Sequence, residues 1–335
     1  VAVLAAQDHS KGDLERCRSL AEKLGLALVV ARQEQGVEEE EEHQGERGKA
    51  ERLAGGAAEA ERDGFKFTML FDETGRLALG QPGSGFNPLV VDFCGGKTGY
   101  RSKHQQGKIE QVVKAAALPK RRAATAAADE PLRPPSPGDD DAEAPLPLLW
   151  DLTAGLGTDA FLLAQAGWRV EMFERSPVVA ALVQNALDRA RVGDDETART
   201  AASRMSLTVA DSTEVLATAV VESSSAVGFS RPDVVYLDPM FPQQKKGKKK
   251  KSALVKKGMQ MLQALLEEED GAEGEKRQQG TGPGERRLFD IAMEFATRKV
   301  VVKRPVHGPS IVRHVQPSHA VVSKNGRFDV YVVPP

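Results

Sequence analysis

The sequence predicts an α/β protein: a mostly parallel sheet that finishes in an antiparallel hairpin, preceded by a small N-terminal α/β domain. Three observations predict it. From Leu146 onward, short apolar runs alternate with helical stretches, the pattern of parallel strands joined by right-handed crossovers. The first of those runs, Leu148 to Trp150, passes into Asp151-Leu152-Thr153-Ala154-Gly155-Leu156-Gly157-Thr158-Asp159, a glycine-bearing turn that opens a helix. The last two runs, Ala320 to Ser323 and Asp329 to Val333, flank Asn325-Gly326, a residue pair suited to a tight hairpin turn. Together these give a Rossmann-like sheet with an antiparallel finish.

Residues Val1 to Leu118 form the N-terminal domain in this reading. Its elements are strand Val1 to Ala5, helix Asp13 to Leu24, strand Ala27 to Ala31, strands around Phe67 to Phe71 and Leu89 to Phe93, and helix Ile109 to Ala117. Two segments do not fit any periodic element. Gln33 to Asp63 holds 11 acidic and 4 basic residues, and Asp129 to Glu143 holds 6 and 1; both are rich in Glu, Ala, Gly or Pro, the composition of solvated insertions. Pro119 to Pro145 is therefore a linker, and residues 146–335 the main domain. Taking the segments' −7 and −5 away from a net charge of −2 leaves +10 for the rest, so the acid does not describe the folded surface.

Chemistry is expected at the carboxyl edge of the parallel strands, where open α/β sheets bind ligands. Gly155 and Gly157 let backbone approach a ligand, and the helix behind them offers unpaired amides and a positive dipole end. The pattern lacks the third glycine of a dinucleotide fingerprint, and Asp159 at the helix start disfavours a phosphate. A nucleoside carrying a zwitterionic amino acid fits, and S-adenosylmethionine is the common one. Arg169 to Phe173 is a second strand ending at Glu174, 23 residues after Asp151, where an acid can hold ribose hydroxyls. Met205 to Val209 ends at Asp211-Ser212, placed to accept from an adenine amine, and Asp233 to Leu237 ends at Asp238-Pro239-Met240-Phe241-Pro242. For any one of these carboxylates a helix N-cap is the alternative role.

An exocyclic amine on a nucleobase is a weak nucleophile because its lone pair is delocalised into the ring. Asp238 and a carbonyl near Pro239 can accept its two hydrogens, while Phe241 stacks on a base drawn out of its surroundings. Alignment and electrostatic preorganisation would supply most of the rate. Asp238, Pro239 and Phe241 are thus the expected catalytic residues.

Several of these segments, with Glu174-Arg175-Ser176-Pro177-Val178-Val179-Ala180-Ala181-Leu182, Val234 to Pro242, Lys251-Ser252-Ala253-Leu254-Val255-Lys256-Lys257 and Val300-Val301-Val302-Lys303-Arg304-Pro305, resemble the bacterial RsmJ (YhiQ) family. The resemblance extends to Val90-Val91-Asp92-Phe93-Cys94-Gly95-Gly96 and Gly326-Arg327-Phe328-Asp329-Val330-Tyr331. It implies a class I S-adenosylmethionine-dependent methyltransferase acting on a guanine N2 of small-subunit ribosomal RNA, alone or in an assembling subunit. The cofactor contacts it implies, with those read above, are Asp151, Gly155, Gly157, Thr158, Asp159, Glu174, Arg175, Asp211, Ser212 and Asp238. The chain departs from the family in Thr158, where the family has an arginine, in Asp211, where it has a small hydroxyl residue, and in the inserted Gln244 to Lys250.

RNA contacts are expected from Lys245, Lys246, Lys248, Lys249, Lys250 and Lys251, with Lys256 and Lys257, directly after the catalytic loop. A second basic patch, Lys97, Arg101, Lys103, His104 and Lys108 around Tyr100, lies in the N-terminal domain. Two cysteines, Cys17 and Cys94, and six scattered histidines give neither a disulfide framework nor metal-ligand spacing, so no metal is expected. No apolar run approaches the roughly 18 residues needed to span a membrane. The resemblance implies a cytoplasmic protein, whereas the low-complexity insertions suggest an organellar version from a eukaryote. The chain begins at Val1 without an initiator Met, so any targeting peptide would lie outside it. Two other functions stay open at this point: transfer to another planar amine, such as adenine N6 or a protein glutamine, and a non-catalytic RNA-binding or ribosome-assembly factor on the same fold.

Overall fold

The computed structural model describes residues 1–6, 11–31, 63–95, 110–118, 145–222, 230–239, 253–270, 283–323 and 326–334. Two sheets organise them. The first has the order β2-β1-β3-β4-β5, from β1 (Ala2–Ala6), β2 (Ala27–Ala31), β3 (Thr68–Phe71), β4 (Leu77–Gly80) and β5 (Leu89–Val90). β1 runs parallel to β2 and β3, and β3-β4-β5 is an antiparallel meander. Helix α1 (Lys11–Leu24) joins β1 to β2, and α2 (Gln111–Ala116) follows β5.

The second sheet has the order β11-β12-β10-β9-β6-β7-β8. Its strands are β6 (Leu148–Asp151), β7 (Arg169–Glu174), β8 (Met205–Val209), β9 (Val234–Leu237), β10 (Lys299–Arg304), β11 (His319–Val322) and β12 (Arg327–Val332). The five strands from β8 to β10 are parallel; β12 and β11 close the sheet antiparallel. Strand order reverses between β6 and β9, the switch point at whose carboxyl ends open α/β sheets bind ligands. The crossovers carry α3 (Thr158–Gln165), α4 (Pro177–Val192), α5 (Glu196–Ser203), α6 (Ser212–Glu222), α7 (Ala253–Asp270) and α8 (Pro283–Phe295). Among the described residues no helix is long and apolar enough to cross a membrane.

Near-continuous apolar runs in β6, β9 and β10 bury both faces of the sheet's centre. Alternation divides them: Leu149, Val234, Tyr236 and Val301 face a core shared with α3, α4 and the first sheet, while Leu148, Trp150, Val235, Leu237 and Val300 face α8. The first sheet is tied to α4. Asn185 Oδ1 accepts from the Leu77 amide at 2.9 Å, its Nδ2 donates to the Gly75 carbonyl at 3.0 Å, and Arg189 donates to the Val91 carbonyl at 2.6 Å. Phe93 stacks on Phe161 of α3, ring centres 4.6 Å apart and 9° from parallel.

Two elements differ from the sequence expectation. β4 is an additional strand, because Asp72 builds the turn before it: its Oδ1 accepts from the amides of Thr74 and Arg76 at 2.9 and 3.0 Å. The strand expected over Leu89 to Phe93 stops at Val90, because Asp92 Oδ1 accepts from the amides of Cys94 and Gly95 at 3.0 and 3.1 Å and bends the chain. The acidic segment and the linker lie outside the described residues, apart from their edges. So does Asn325; the terminal hairpin is closed on either side of it by the Ser323 amide donating to the Gly326 carbonyl at 2.8 Å.

Candidate active site

The turn between β6 and α3 forms because two of its residues hold left-handed backbone that favours glycine: Gly155 has φ +51° and Gly157, the N-cap of α3, φ +69°. The Gly155 amide donates to Glu174 Oε2 at 2.8 Å, and the Ser176 amide to Glu174 Oε1 at 2.9 Å. Glu174 is thereby fixed at the end of β7, buried, with its carboxyl pushed up from the ordinary value by burial. Arg175 beside it is exposed and favours the anion.

Asp151 closes β6 and is 2% exposed. Its Oδ1 accepts from the Thr153 amide at 3.1 Å. Burial first, then the neighbouring carboxylates Asp159, Asp238 and Glu174, push its carboxyl up to about 8. Asp211 Oδ1 accepts from the amide and hydroxyl of Thr213 at 2.9 and 2.6 Å, the N-cap role for α6, and the buried Ser212 hydroxyl donates to the Leu152 carbonyl at 2.9 Å. Thr158 and Asp159 open α3 as expected.

At the end of β9, the Asp238 amide donates to Thr153 Oγ1 at 2.6 Å, joining this strand to the glycine turn. Tyr236 donates its hydroxyl to Asp159 Oδ2 at 2.7 Å. The Lys303 ammonium donates to Asp159 Oδ2 and to Asp238 Oδ2, each at 2.7 Å. Burial opposes the charge on Lys303, but the two aspartates outweigh it and hold the ammonium well above its usual range. Burial likewise raises Asp238 and Lys303 offsets part of that; Tyr236 is pushed far up by burial and the adjacent carboxylates.

The structure therefore brings Asp151, Gly155, Gly157, Asp159, Glu174 and Asp238 to one edge, with Pro239 directly after. Phe241, Lys245, Lys246, Lys248, Lys249, Lys250, Lys251, Arg101 and Lys103 lie outside the described residues, as do the side chains of Lys256 and Lys257 in α7. Thr153, Tyr236 and Lys303 were not anticipated. A lysine closing the apolar run Val300-Val301-Val302, and a tyrosine two residues before Asp238 on one strand face, were the signals available.

Four carboxylates around a turn with forward-facing amides fit an amino-acid ligand bearing cationic centres better than a polyphosphate. The family model for SAM-dependent methyltransferases matches residues 141–333. Ribosomal RNA small subunit methyltransferase J of Vibrio vulnificus is 38% identical over 268 residues, covering 80% of this chain and 86% of that protein. Its counterpart in Vibrio parahaemolyticus is 39% identical over 244 residues, 73% of this chain and 77% of that one. This chain belongs to that family of SAM-dependent methyltransferases. A solved structure of a SAM-dependent methyltransferase from Neisseria gonorrhoeae shares the fold, with a TM-score of 0.54 at 22% identity over 99% of this chain and 96% of that one. Members of this family use S-adenosylmethionine as methyl donor.

Proposed function

We propose that this protein transfers a methyl group from S-adenosylmethionine to the exocyclic N2 of a guanine in small-subunit ribosomal RNA, within the RNA or an assembling subunit. The observation that carries the reading is the placement of Asp238: its backbone is locked to the glycine turn through Thr153, and its carboxylate sits at the strand-order reversal. The names of the Vibrio relatives support the choice of RNA.

In this reading Glu174 receives the ribose hydroxyls, Asp211 and Ser212 face the adenine, and Asp151 with the amides of the glycine turn and of Thr158 and Asp159 receives the amino-acid end. When bound, S-adenosylmethionine supplies an electrophilic methyl, whose bonding pair stays on sulfur as the amine lone pair forms the new N–C bond. Asp238 and the carbonyl near Pro239 accept the amine hydrogens, hold the nitrogen in line, and stabilise the positive charge it gains before one proton leaves. Phe241 stacks on the base, and the basic stretch from Lys245 to Lys257 with Arg101 and Lys103 meets phosphates.

The test is transfer of labelled methyl to small-subunit RNA and to particles lacking the modification, followed by nucleoside analysis, with DNA and protein as competing acceptors. N2-methylguanosine is expected, with Asp238→Asn reducing turnover by about 100-fold or more. Label in N6-methyladenosine or methylglutamine, or cofactor binding with no transfer to any acceptor, overturns the reading.

A further inference from the structure

Lys303 carries no role in the reaction above, yet its ammonium bridges two of the carboxylates at the strand edge. Its register explains why. β10 pairs with β9 in parallel through Val302 opposite Leu237, so the next residue along, Lys303, stands beside Asp238. Period-two alternation puts Tyr236 and Asp238 on one face of β9 and Val301 and Lys303 on the same face of β10. Asp159 reaches that face from the first turn of α3. One ammonium then bridges two carboxylates at 2.7 Å each, with side chains 35% (Lys303), 19% (Asp159) and 37% (Asp238) exposed. Tyr236 holds the same Asp159 oxygen from below at 2.7 Å.

Without that cation, Asp159 and Asp238 would face each other as like charges in a partly water-excluded edge. Asp238 Oδ2 is occupied by the ammonium, which leaves Oδ1 for an incoming amine. We propose that Lys303 is a positioning residue for methyl transfer: by clamping Asp238 to Asp159 it fixes the orientation of the Asp238 carboxylate and keeps it an anion. Asp159, with Tyr236 behind it, is the anchor of that clamp. The proposal rests on the amine-methylation reading, but its physical core, the state of Asp238, can be measured without any acceptor.

The groups facing Asp238 are Lys303 of β10, Asp159 of α3, Tyr236 of β9 and Asp151 of β6, with Glu174 of β7 more remote. Removing an adjacent opposite charge raises a carboxyl by about one to three pH units. The experiment is a carboxyl-carbon NMR titration of aspartate-labelled protein, wild type against Lys303→Met, with the Asp238 signal assigned by its loss in Asp238→Asn. Turnover and KM for RNA are measured across pH in parallel. In Lys303→Met the Asp238 signal is expected to titrate at least one pH unit higher. The acid limb of the rate profile should move with it by the same amount, turnover recovering toward wild type as pH rises above the shifted limb, while KM for RNA changes less than threefold. Lys303→Arg, which keeps the cation, should restore the wild-type titration. Lys303→Gln replaces Lys303→Met if the latter does not fold. An unmoved Asp238 titration, or a loss of turnover equal at every pH, overturns the proposal. A moved titration in a protein that makes no N2-methylguanosine overturns the substrate assignment and leaves the clamp standing.

Discussion

Gly155 and Gly157 look equivalent in the sequence, but substituting each by alanine should give distinct results. Both hold left-handed backbone, at φ +51° and +69°, so either alanine meets a backbone cost of roughly 1–2 kcal/mol. At Gly155 nothing else is added: a Cβ would have only the Thr153 carbonyl within 4 Å, at 3.9 Å. At Gly157 the Cβ would stand 3.2 Å from Phe93 Cζ and 3.3 Å from Val183 Cγ1. Phe93 is buried and stacked on Phe161, and Val183 is buried in α4, so neither can yield freely. Overpacking of this kind adds on the order of 1–2 kcal/mol. Gly157→Ala should therefore destabilise by about 2–4 kcal/mol and Gly155→Ala by about half that. The assay is urea unfolding with a shared m-value, complemented by calorimetric S-adenosylmethionine binding. Gly157→Ala/Phe93→Leu should recover part of the loss, because the ring edge that the methyl meets is removed. Equal destabilisation by the two alanines, or no recovery in the double variant, would refute the view that the ring of Phe93 backs the glycine turn.

Asp151 gives a pH dependence of stability. Its carboxyl is raised from 3.8 to about 8, so between those values the folded protein holds a proton that the unfolded chain has lost. Stability should fall as pH rises through that window, by about 1.4 kcal/mol per pH unit at most, and Glu174 and Asp238, both raised by burial, act in the same sense. Asp151→Asn keeps an oxygen for the Thr153 amide; its stability relative to wild type should improve by at least about 1 kcal/mol between pH 5 and pH 8, read by urea unfolding. A constant difference would show that Asp151 is ionised throughout. Asn185→Ala strips partners from the Leu77 amide and the Gly75 carbonyl and should destabilise by about 1–3 kcal/mol, with faster amide exchange at Leu77 as the local check. The Lys66–Glu268 pair, 2.6 Å apart with side chains 66% and 49% exposed, is the contrasting case: Lys66→Ala should change stability by less than about 1 kcal/mol, and a larger loss would contradict solvent screening of the pair.

The sequence by itself determined the parallel core of the fold and the strand edge proposed for the chemistry. Strand β6, its glycine turn, Glu174 and Asp238 were legible because each depends on local causes: apolar runs, residues that tolerate positive φ, and polar residues at strand ends. β4 was not legible, since Leu77-Ala78-Leu79-Gly80 lacks β-branched residues and becomes a strand by pairing with β3 and β5 and donating the Leu77 amide to Asn185 of α4. The strand length at Leu89 was likewise decided by an Asp92 side chain turning back on its own backbone. What only the tertiary structure decided was which of the carboxylates act together. Asp159 reads as a helix-start residue facing a ligand, yet it meets Tyr236 and Lys303, 77 and 144 residues away, because strand register in a parallel sheet is fixed by pairing between distant segments. The bridge from Lys303 to Asp159 and Asp238 is a product of that register, and no local pattern encodes it.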